Sequence, residues 1–439
     1  MGGGVAPFHL GWFLNGTSVP AWGQEFSGAI GTQWQQAEIF VDLARAMERA
    51  RFDYVLIEDN TFVGDRYGDS MELYLKHAFQ TPRQDPMVTA TLLAQATQHL
   101  GIVATAGTFA YHPYMLARLS ASIDQLSGGR MGVNVVTGTS DRALQNYGFD
   151  GMDEHDSRYD VAEDFLKAAI ALWDTWDPDS VVADSETGYW ADHTKVRRAD
   201  YRGSHYSTRG PLNTGPLPQG RPVISQAGGS PRGIAFAAKY ADTIVAIHAT
   251  AESMKTYRDK VRAAALSFGR DPDDIKVLFG VGPIVGSTQV EADERVRLRR
   301  DDIAENIEVH LAAMAKSTDI DFAQVPLDVP LGSLELQTNG TQQLSDFVSR
   351  NATKTLREAV VSRGVGNGPV IAGTPESVAD QMEEMMRVAG GDGFLISTSG
   401  VTRRFIAEIC DGLVPELQRR GLTRREYSFD QLRDNLLEF

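Results

Sequence analysis

The sequence predicts an α/β fold, a single (β/α)8 TIM barrel that spans residues 1–439. Strand-like apolar runs alternate with amphipathic helical patterns along the chain, and eight such runs are present. A chain of 439 residues with 42% hydrophobic residues can bury one core of this size. Eight strand–helix repeats in this length favour a closed barrel over an open, doubly wound sheet.

The predicted strands are short and rich in β-branched and aromatic residues. In chain order they are FHLGWFL (8–14), DYVLIE (53–58), GIVATAGT (101–108), RMGVNVVT (130–137), PVISQA (222–227), DTIVAIH (242–248), KVLFGVGPIV (276–285) and DGFLIS (392–397). Barrels of this class place their active sites on the loops that follow the strands. We therefore expect the functional residues near the carboxyl ends of these eight runs.

Helical periodicity is clearest after the first and fourth runs. One apolar stripe is formed by Phe40, Leu43, Ala44 and Met47. A second is formed by Ala162, Phe165, Ala169, Leu172, Trp173 and Trp176. Stripes of this spacing predict helices that pack on the outside of the barrel.

Two long polar segments interrupt this alternation, at about 177–221 and 317–372. Loops of this length in a compact domain are usually functional covers. We interpret both segments as insertions over the carboxyl-terminal mouth of the barrel and not as separate domains.

The composition favours a small-molecule ligand. The formal net charge is −16, and the lysines and arginines are scattered, which argues against nucleic acid or an anionic membrane as partner. Cys410 is the one cysteine, so no intramolecular disulfide is expected. Neither a signal-peptide pattern nor a run long enough to cross a bilayer is evident, and we expect a cytoplasmic protein.

The stretch SQAGGSPRG (225–233) has the features of a phosphate-binding turn. Gly228 and Gly229 remove side-chain bulk after the fifth strand, Ser230 suits an N-cap, and Pro231 suits the first helical position. Free N–H groups at such a helix start can bind a phosphate. An ordinary strand-to-helix turn would read the same way.

Polar residues follow several other strands. They are Glu58 and Asp59 after the second strand, Thr105, Thr108 and His112 in or after the third, Asn134 and Thr139 in or after the fourth, and His155 and Tyr159 at the next helix start. Helix capping and turn formation are alternative roles for several of them.

Several catalytic classes lack their motifs. The sequence has neither a His-x-His pair after the first strand nor an HExxH helix, so a metal-dependent hydrolase is not indicated, and it has no GxSxG elbow. The segment GVGNGP (364–369) does not join a clear strand to a helix, which argues against an integral nicotinamide site. A redox enzyme of this sequence would obtain its reducing equivalents from outside.

An ordered set of motifs resembles a known family. The motifs are SIDQLSGGR (122–130), NVVTG (134–138), NYGF (146–149), EHDSRYDVAEDFLK (154–167), QAGGSPRG (226–233) and LVPELQRRG (413–421). Together they resemble flavin-dependent monooxygenases of the bacterial luciferase superfamily. The similar branch contains nitrilotriacetate monooxygenase, dibenzothiophene sulfone monooxygenase, one component of pristinamycin synthase and the long-chain alkane monooxygenase.

The resemblance implies an FMN site and assigns residues to it. The residues it places at the phosphate are Gly229, Ser230, His155 and Tyr159, while Asp59 and Thr105 match flavin-contacting positions and Asn134 lies beside the ring system. The donors implied around the phosphate are uncharged, which suits a cofactor that enters and leaves.

The resemblance also implies a two-component mechanism. A separate NAD(P)H:flavin reductase supplies reduced FMN, O2 adds to give a C4a-peroxide, and one oxygen atom passes to a small substrate. Relatives commonly form homodimers or homotetramers. Two alternatives stay open: a deazaflavin-dependent hydride-transfer enzyme, and a non-catalytic flavin-binding protein.

This sequence departs from the alkane enzyme near the flavin. Gly16 and Val19 stand where that enzyme has cysteine and histidine, and Gly138 and Thr139 replace Ser-His. Gln80 and His310 persist, and with Asn134 they are the catalytic candidates, His310 as proton donor or substrate contact.

Aromatic residues near the predicted mouth suggest an apolar or heteroaromatic substrate. They are Trp12, Phe13, Trp22, Phe62, Phe109 and Tyr111. A carboxylated amine is less favoured, because no arginine cluster marks the early loops.

Overall fold

The computed structural model describes residues 5–15, 35–334, 336, 347–363, 368–398 and 401–439. Eight parallel strands close into a barrel in which each strand pairs with its neighbours in sequence and the last pairs with the first. They are β1 (His9–Leu14), β2 (Tyr54–Ile57), β3 (Gly101–Gly107), β4 (Met131–Val136), β5 (Val223–Gln226), β6 (Thr243–Ala246), β7 (Lys276–Val281) and β8 (Gly393–Ser397). The predicted (β/α)8 barrel is confirmed.

Fifteen helices of the described residues are numbered here in chain order. They are α1 (Glu38–Arg49), α2 (Glu72–Lys76), α3 (Pro86–Ala96), α4 (Pro113–Ser127), α5 (Asp141–Gln145), α6 (His155–Trp173), α7 (Pro231–Tyr240), α8 (Ala251–Ser267), α9 (Gln289–Glu305), α10 (Ile307–Thr318), α11 (Leu356–Arg363), α12 (Pro375–Ala389), α13 (Arg403–Ala407), α14 (Val414–Arg419) and α15 (Leu432–Leu436). A search of the described part of the chain for a helix both long and apolar enough to span a membrane finds no candidate.

The two predicted apolar stripes lie on α1 and α6, with one exception. The stripe residues of α1 are buried, as are those of α6 up to Trp173. Trp176 follows the end of α6, and its indole N–H donates to the carbonyl oxygen of Leu212 over 2.6 Å. This residue therefore anchors the next segment and not the helix.

The barrel interior is filled by side chains from alternate strand positions. Among them are Tyr54, Leu56, Val103, Val223, Val245, Leu278 and Leu395, which form one buried cluster. The hydroxyls of Tyr54 and Thr243 lie 3.1 Å apart inside it. A Cβ at Gly11 would lie 2.5 Å from Leu395 Cδ1, so glycine is needed at this point of β1.

The seventh predicted strand is divided in the structure. β7 ends at Val281, and Ile284–Val285 pairs instead with Ala372–Gly373 outside the barrel. Pro283 lies between the two and has no N–H to donate, which explains the break. The prediction of one strand over 276–285 was therefore too long.

The segment 177–221 contains two hairpins, Val181–Asp184 with Tyr189–Ala191 and Tyr201–Arg202 with Ser207–Thr208. It leaves the end of α6 and returns to the start of β5, both at the amino end of the barrel. Asp164 of α6 accepts from Tyr201 Oη over 2.5 Å, and Gln219 donates to the oxygen of Met131 at the start of β4 over 2.7 Å.

These contacts place 177–221 along the flank of the barrel, where the sequence led us to expect a cover over the mouth. The reason is topological, because the segment follows a helix and not a strand. Tyr206 carries its described contact nearest the mouth, a hydrogen bond from its hydroxyl to the oxygen of Thr108 over 3.4 Å.

The region between β7 and β8 packs over the loop that follows β2. Tyr74 Oη donates to the oxygen of Ala312 over 2.9 Å, and Gly68 N donates to Asp321 over 2.8 Å. This region has its own apolar core, whose members include Ile303, Ile307, Leu311, Met314, Phe322, Leu331 and Leu356. Because α9 and α10 belong to that core, the excursion begins before residue 317.

Carboxyl-terminal residues close the amino end of the barrel. Leu432 and Leu436 of α15 join the interior cluster. Asp53 accepts from His9 Nδ1 over 2.8 Å and from Arg424 over 2.6 Å, and all three side chains are almost fully buried. This network ties β1 to the segment that precedes α15.

Asp124, beneath β4, makes stability depend on pH. Burial raises its pKa to about 6, although Gln219 Nε2 donates to its Oδ1 over 2.6 Å. The ordinary value is about 3.9, so the folded protein binds more protons between about pH 4 and 6, and this group makes stability fall as the pH rises through that window.

We expect Asp124→Asn to remove this dependence. The difference in free energy of unfolding between variant and wild type should move by about 2 kcal/mol in favour of the variant from about pH 4 to pH 7. Urea denaturation at both pH values measures it. A difference that stays constant with pH would show that Asp124 titrates normally.

Candidate active site

A strand–loop–helix corner forms one side of the mouth. β5 ends at Gln226, and α7 begins at Pro231 with Ser230 as its N-cap, whose Oγ accepts from Gly233 N over 3.0 Å. A Cβ added at Gly229 would meet no atom within 4 Å. The local structure predicted for SQAGGSPRG is present, with an open approach to the start of α7.

Tyr159 of α6 reaches the same corner. Gln226 Nε2 donates to its hydroxyl over 3.5 Å, and a Cβ at Gly233 would lie 2.7 Å from that oxygen. Burial raises the pKa of Tyr159, so its hydroxyl stays protonated and can donate. The ring of His155 lies 5.2 Å from that of Tyr159, and its Nδ1 is 2.7 Å from Asp156. The structure thus brings His155, Tyr159 and Ser230 together.

Two arginines that the sequence analysis left out flank this corner. Arg232 lies over the Tyr159 ring, 5.8 Å from its centre, and is paired with Asp160 at 2.7 Å and Glu163 at 3.2 Å. Arg158 donates to the oxygen of Gly138 over 2.6 Å. The surroundings of the corner are therefore more basic than the uncharged donor set expected, although acids neutralise Arg232.

A row of polar side chains crosses the interior at the carboxyl end of the strands. In register, Thr105 of β3 pairs with Asn134 of β4, which pairs with Ser225 of β5. Asn134 Nδ2 donates to Thr105 Oγ1 over 3.0 Å. Asn134 Oδ1 and Ser225 Oγ are buried without a hydrogen-bond partner among the described residues.

The loop after β2 holds Asp59 and Gln80. Asn60 links them, since its N–H donates to Asp59 over 2.8 Å and its side chain donates to Gln80 Oε1 over 3.2 Å. Gln80 has φ +52°, a backbone conformation that costs a non-glycine residue about 1 kcal/mol or more. Burial raises the pKa of Asp59.

The aromatic candidates divide into two groups. Phe109 packs edge-on against Tyr147, with ring centres 5.4 Å apart, and the hydroxyl of Tyr111 lies 3.4 Å from Asp85. The fully buried Trp12 instead packs against Phe52 and Phe405, outside the barrel wall. Its expected place in a substrate pocket was wrong, because it faces outward on β1. Trp22, Gly16 and Val19 lie outside the described residues.

His310 lies on α10, and the charged groups acting on it are Asp302 and Arg299 of α9. Burial lowers its pKa, which favours the neutral imidazole. No described contact joins it to Gln80 or Asn134, so its catalytic role stays a prediction.

A buried charge cluster at the mouth was missed. Arg83 Nη1 lies 2.9 Å from Glu58 Oε2, and Lys316 Nζ lies 4.8 Å from the centre of the Phe62 ring. Glu58 was noted as a polar residue after β2, but its partners are distant in sequence, and no local pattern connects them.

Comparison with known proteins identifies the family. The sequence profile of the luciferase-like monooxygenases matches residues 17–393. The chain belongs to this family.

Full-length relatives agree with this assignment. The chain is 36% identical over 437 residues to a dibenzothiophene-sulfone monooxygenase of Rhodococcus erythropolis (strain XP), covering 98% of this chain and 96% of that one. It is 33% identical to an N-acetyl-S-(2-succino)cysteine monooxygenase of Bacillus subtilis (strain 168), with 97% and 95% coverage. The crystal structure of DmoA from Hyphomicrobium sulfonivorans superposes with a TM-score of 0.88 at 31% identity, covering 99% and 92%.

Family membership confirms the predicted enzyme class, a flavin-dependent monooxygenase of the luciferase type on a (β/α)8 barrel. It does not favour the deazaflavin or non-catalytic alternatives. Structures named for the deazaflavin F420 resemble this chain at 15% identity, a likeness in fold alone.

Proposed function

We propose that this protein is the oxygenase component of a two-component monooxygenase. It would take reduced FMN from a separate NAD(P)H:flavin reductase, react it with O2, and transfer one oxygen atom to a small organic substrate while the other leaves as water. The single observation that carries the proposal is the corner between β5 and α7, open at Gly229 and faced by Tyr159.

The residues at this corner fit a phosphate. The first N–H groups of α7 have no carbonyl partner within the helix, and the helix dipole favours an anion there. Gly229 and Ser230 would hold the phosphate from the loop, and His155 and Tyr159 from α6. Arg158 and Arg232 would add a positive field without a direct ion pair.

The interior row fits the flavin ring. The unpartnered Oδ1 of Asn134 can accept from a ring N–H, and Thr105, which supports Asn134, lies beside it. Asp59 would contact the same ring from the loop after β2. Buried polar atoms without partners are uncommon in folded proteins, which supports a ligand at this position.

Reduced flavin would supply two electrons and the atom at which O2 is activated. The protein would position the substrate and exclude water. The excursion between β7 and β8, packed over the loop after β2, is suited to this exclusion. Gln80 and His310 remain candidates for substrate contact and proton transfer.

The substrate would have an apolar or heteroaromatic part. Phe109, Tyr111 and Tyr147 supply aromatic surface after β3 and β4. Two of the relatives named above take their names from sulfur compounds, and a third is named for dimethyl sulfide. Thioethers and sulfones are therefore the first compounds to screen.

Oxygen consumption tests the division of labour between two components. The protein alone, with FMN and NADH, should not oxidise NADH. Addition of a flavin reductase should give substrate-dependent consumption of O2 and a product that carries one atom from ¹⁸O2. NADH oxidation by the isolated protein would contradict the two-component assignment.

A further inference from the structure

We propose that Arg83 and Lys316 form an anion-binding subsite at the mouth of the barrel, which holds a carboxylate group of the substrate. The inference rests on the proposed function, because it describes the same pocket. It adds an acidic group to the apolar substrate inferred above.

The strand register places this cluster beside the interior polar row. Tyr54 and Leu56 of β2 face the interior, so alternation turns Glu58 to the same side. Ile57 pairs with Ala104, and the next position of β3 is Thr105. Glu58 therefore stands next to Thr105, in the row that continues through Asn134.

Both cations are buried, and neither has its hydrogen-bonding capacity used. The Arg83 side chain and Lys316 are each 5% exposed. Lys316 Nζ and all three guanidinium nitrogens of Arg83 lack a hydrogen-bond partner within the part of the chain that is described. Glu58 is at ion-pair distance from Arg83 alone.

The cluster is one negative charge short of balance. It contains two cations and the carboxylate of Glu58, and unpaired buried charge is costly. A guanidinium fork binds a carboxylate with two parallel N–H donors, and an ammonium adds a third. A substrate carboxylate would supply both the missing charge and the missing acceptors.

The titration behaviour of Lys316 agrees with a vacant anion position. Burial and the charge of Arg83 lower the pKa of Lys316 to about 7, although Glu58 acts to raise it. Burial also raises the pKa of Glu58, and Asp59 adds to that effect. A bound carboxylate would return Lys316 to its charged form.

A matched pair of probes tests the proposal. (Phenylthio)acetate carries an aromatic thioether and a carboxylate, and 2-(phenylthio)acetamide differs only in charge. Isothermal titration calorimetry of the FMN-loaded protein gives both dissociation constants. We expect the acid to bind at least about tenfold more tightly than the amide.

Three variants separate charge recognition from structural support. Lys316→Met should abolish the preference for the acid while leaving amide binding unchanged. Arg83→Gln alone leaves Glu58 unpaired, so the double variant Glu58→Gln/Arg83→Gln is used, and it should also lose the preference. Lys255→Met, at an exposed pair with Asp259, should keep it.

Equal affinity of the wild type for acid and amide, or no binding of the acid, would overturn the proposal. So would a preference that survives both in Lys316→Met and in the double variant. FMN affinity of the probe-free protein is measured separately. Failure to bind FMN would refute the proposed function, whereas loss of acid preference with FMN binding intact would refute the subsite alone.

Discussion

Replacing Gly229 by aspartate is expected to weaken FMN binding by about 100-fold or more. The side chain would enter the open space before α7, so folding should be unaffected. Two unit charges about 5 Å apart repel by about 3 kcal/mol at an effective dielectric of about 20, and a phosphate carries nearly two charges. Even half of this repulsion after screening corresponds to about two orders of magnitude in the dissociation constant. Fluorescence titration with FMN measures it.

The same position supplies the matched control. Gly229→Ala adds a Cβ that meets no atom within 4 Å and no charge, so its FMN affinity should stay within about threefold of wild type. Riboflavin, which lacks the phosphate, should bind the aspartate variant as well as it binds wild type. Equal FMN affinity of the aspartate and alanine variants would place the phosphate elsewhere.

Asp53→Ala is expected to lower the free energy of unfolding by about 3–5 kcal/mol, the cost of breaking a buried ion pair from one side. Arg424 and His9 would each lose their contact to this carboxylate, and Leu10 N would lose an acceptor at 2.8 Å. Burial acts to raise the pKa of Asp53, but the charges of His9 and Arg424 hold it below its ordinary value. Its contribution is thus present above about pH 4 and is lost as the pH falls further.

Asp273→Ala is the control for that experiment. Asp273 pairs with Arg262 at 2.7 Å, but its side chain is 75% exposed, and such pairs contribute about 0–1 kcal/mol. Guanidinium denaturation of both variants, followed by circular dichroism, compares the two losses. A loss for Asp53→Ala no larger than for Asp273→Ala would show that the barrel closes without this network.

The elements visible from the sequence were those written in local patterns. Strand periodicity located all eight barrel strands, and SQAGGSPRG gave the turn before α7 because capping residues and glycines act within a few positions. Pro283 was a local signal that could have divided the seventh run. Trp12 was misplaced because an apolar residue in a strand reads the same whether it faces inward or outward.

Features that depend on distant contacts could not be predicted. The path of 177–221 along the flank depends on Gln219 and Tyr206 meeting residues far away in sequence. The charge cluster joins Arg83 and Glu58 to Lys316 of α10, a lysine that would otherwise look like an ordinary helix residue. His310 could be predicted as histidine on a helix, but its neighbours on α9 required the structure.

The most direct test of the central claim is the fate of reduced FMN in the presence of O2. The protein is mixed anaerobically with reduced FMN and then with O2 in a stopped-flow spectrophotometer. We predict an oxygenated flavin species that outlasts the reoxidation of free reduced FMN and decays faster when a substrate is added. Reoxidation at the rate seen in buffer would contradict the assignment of this barrel as the oxygenase.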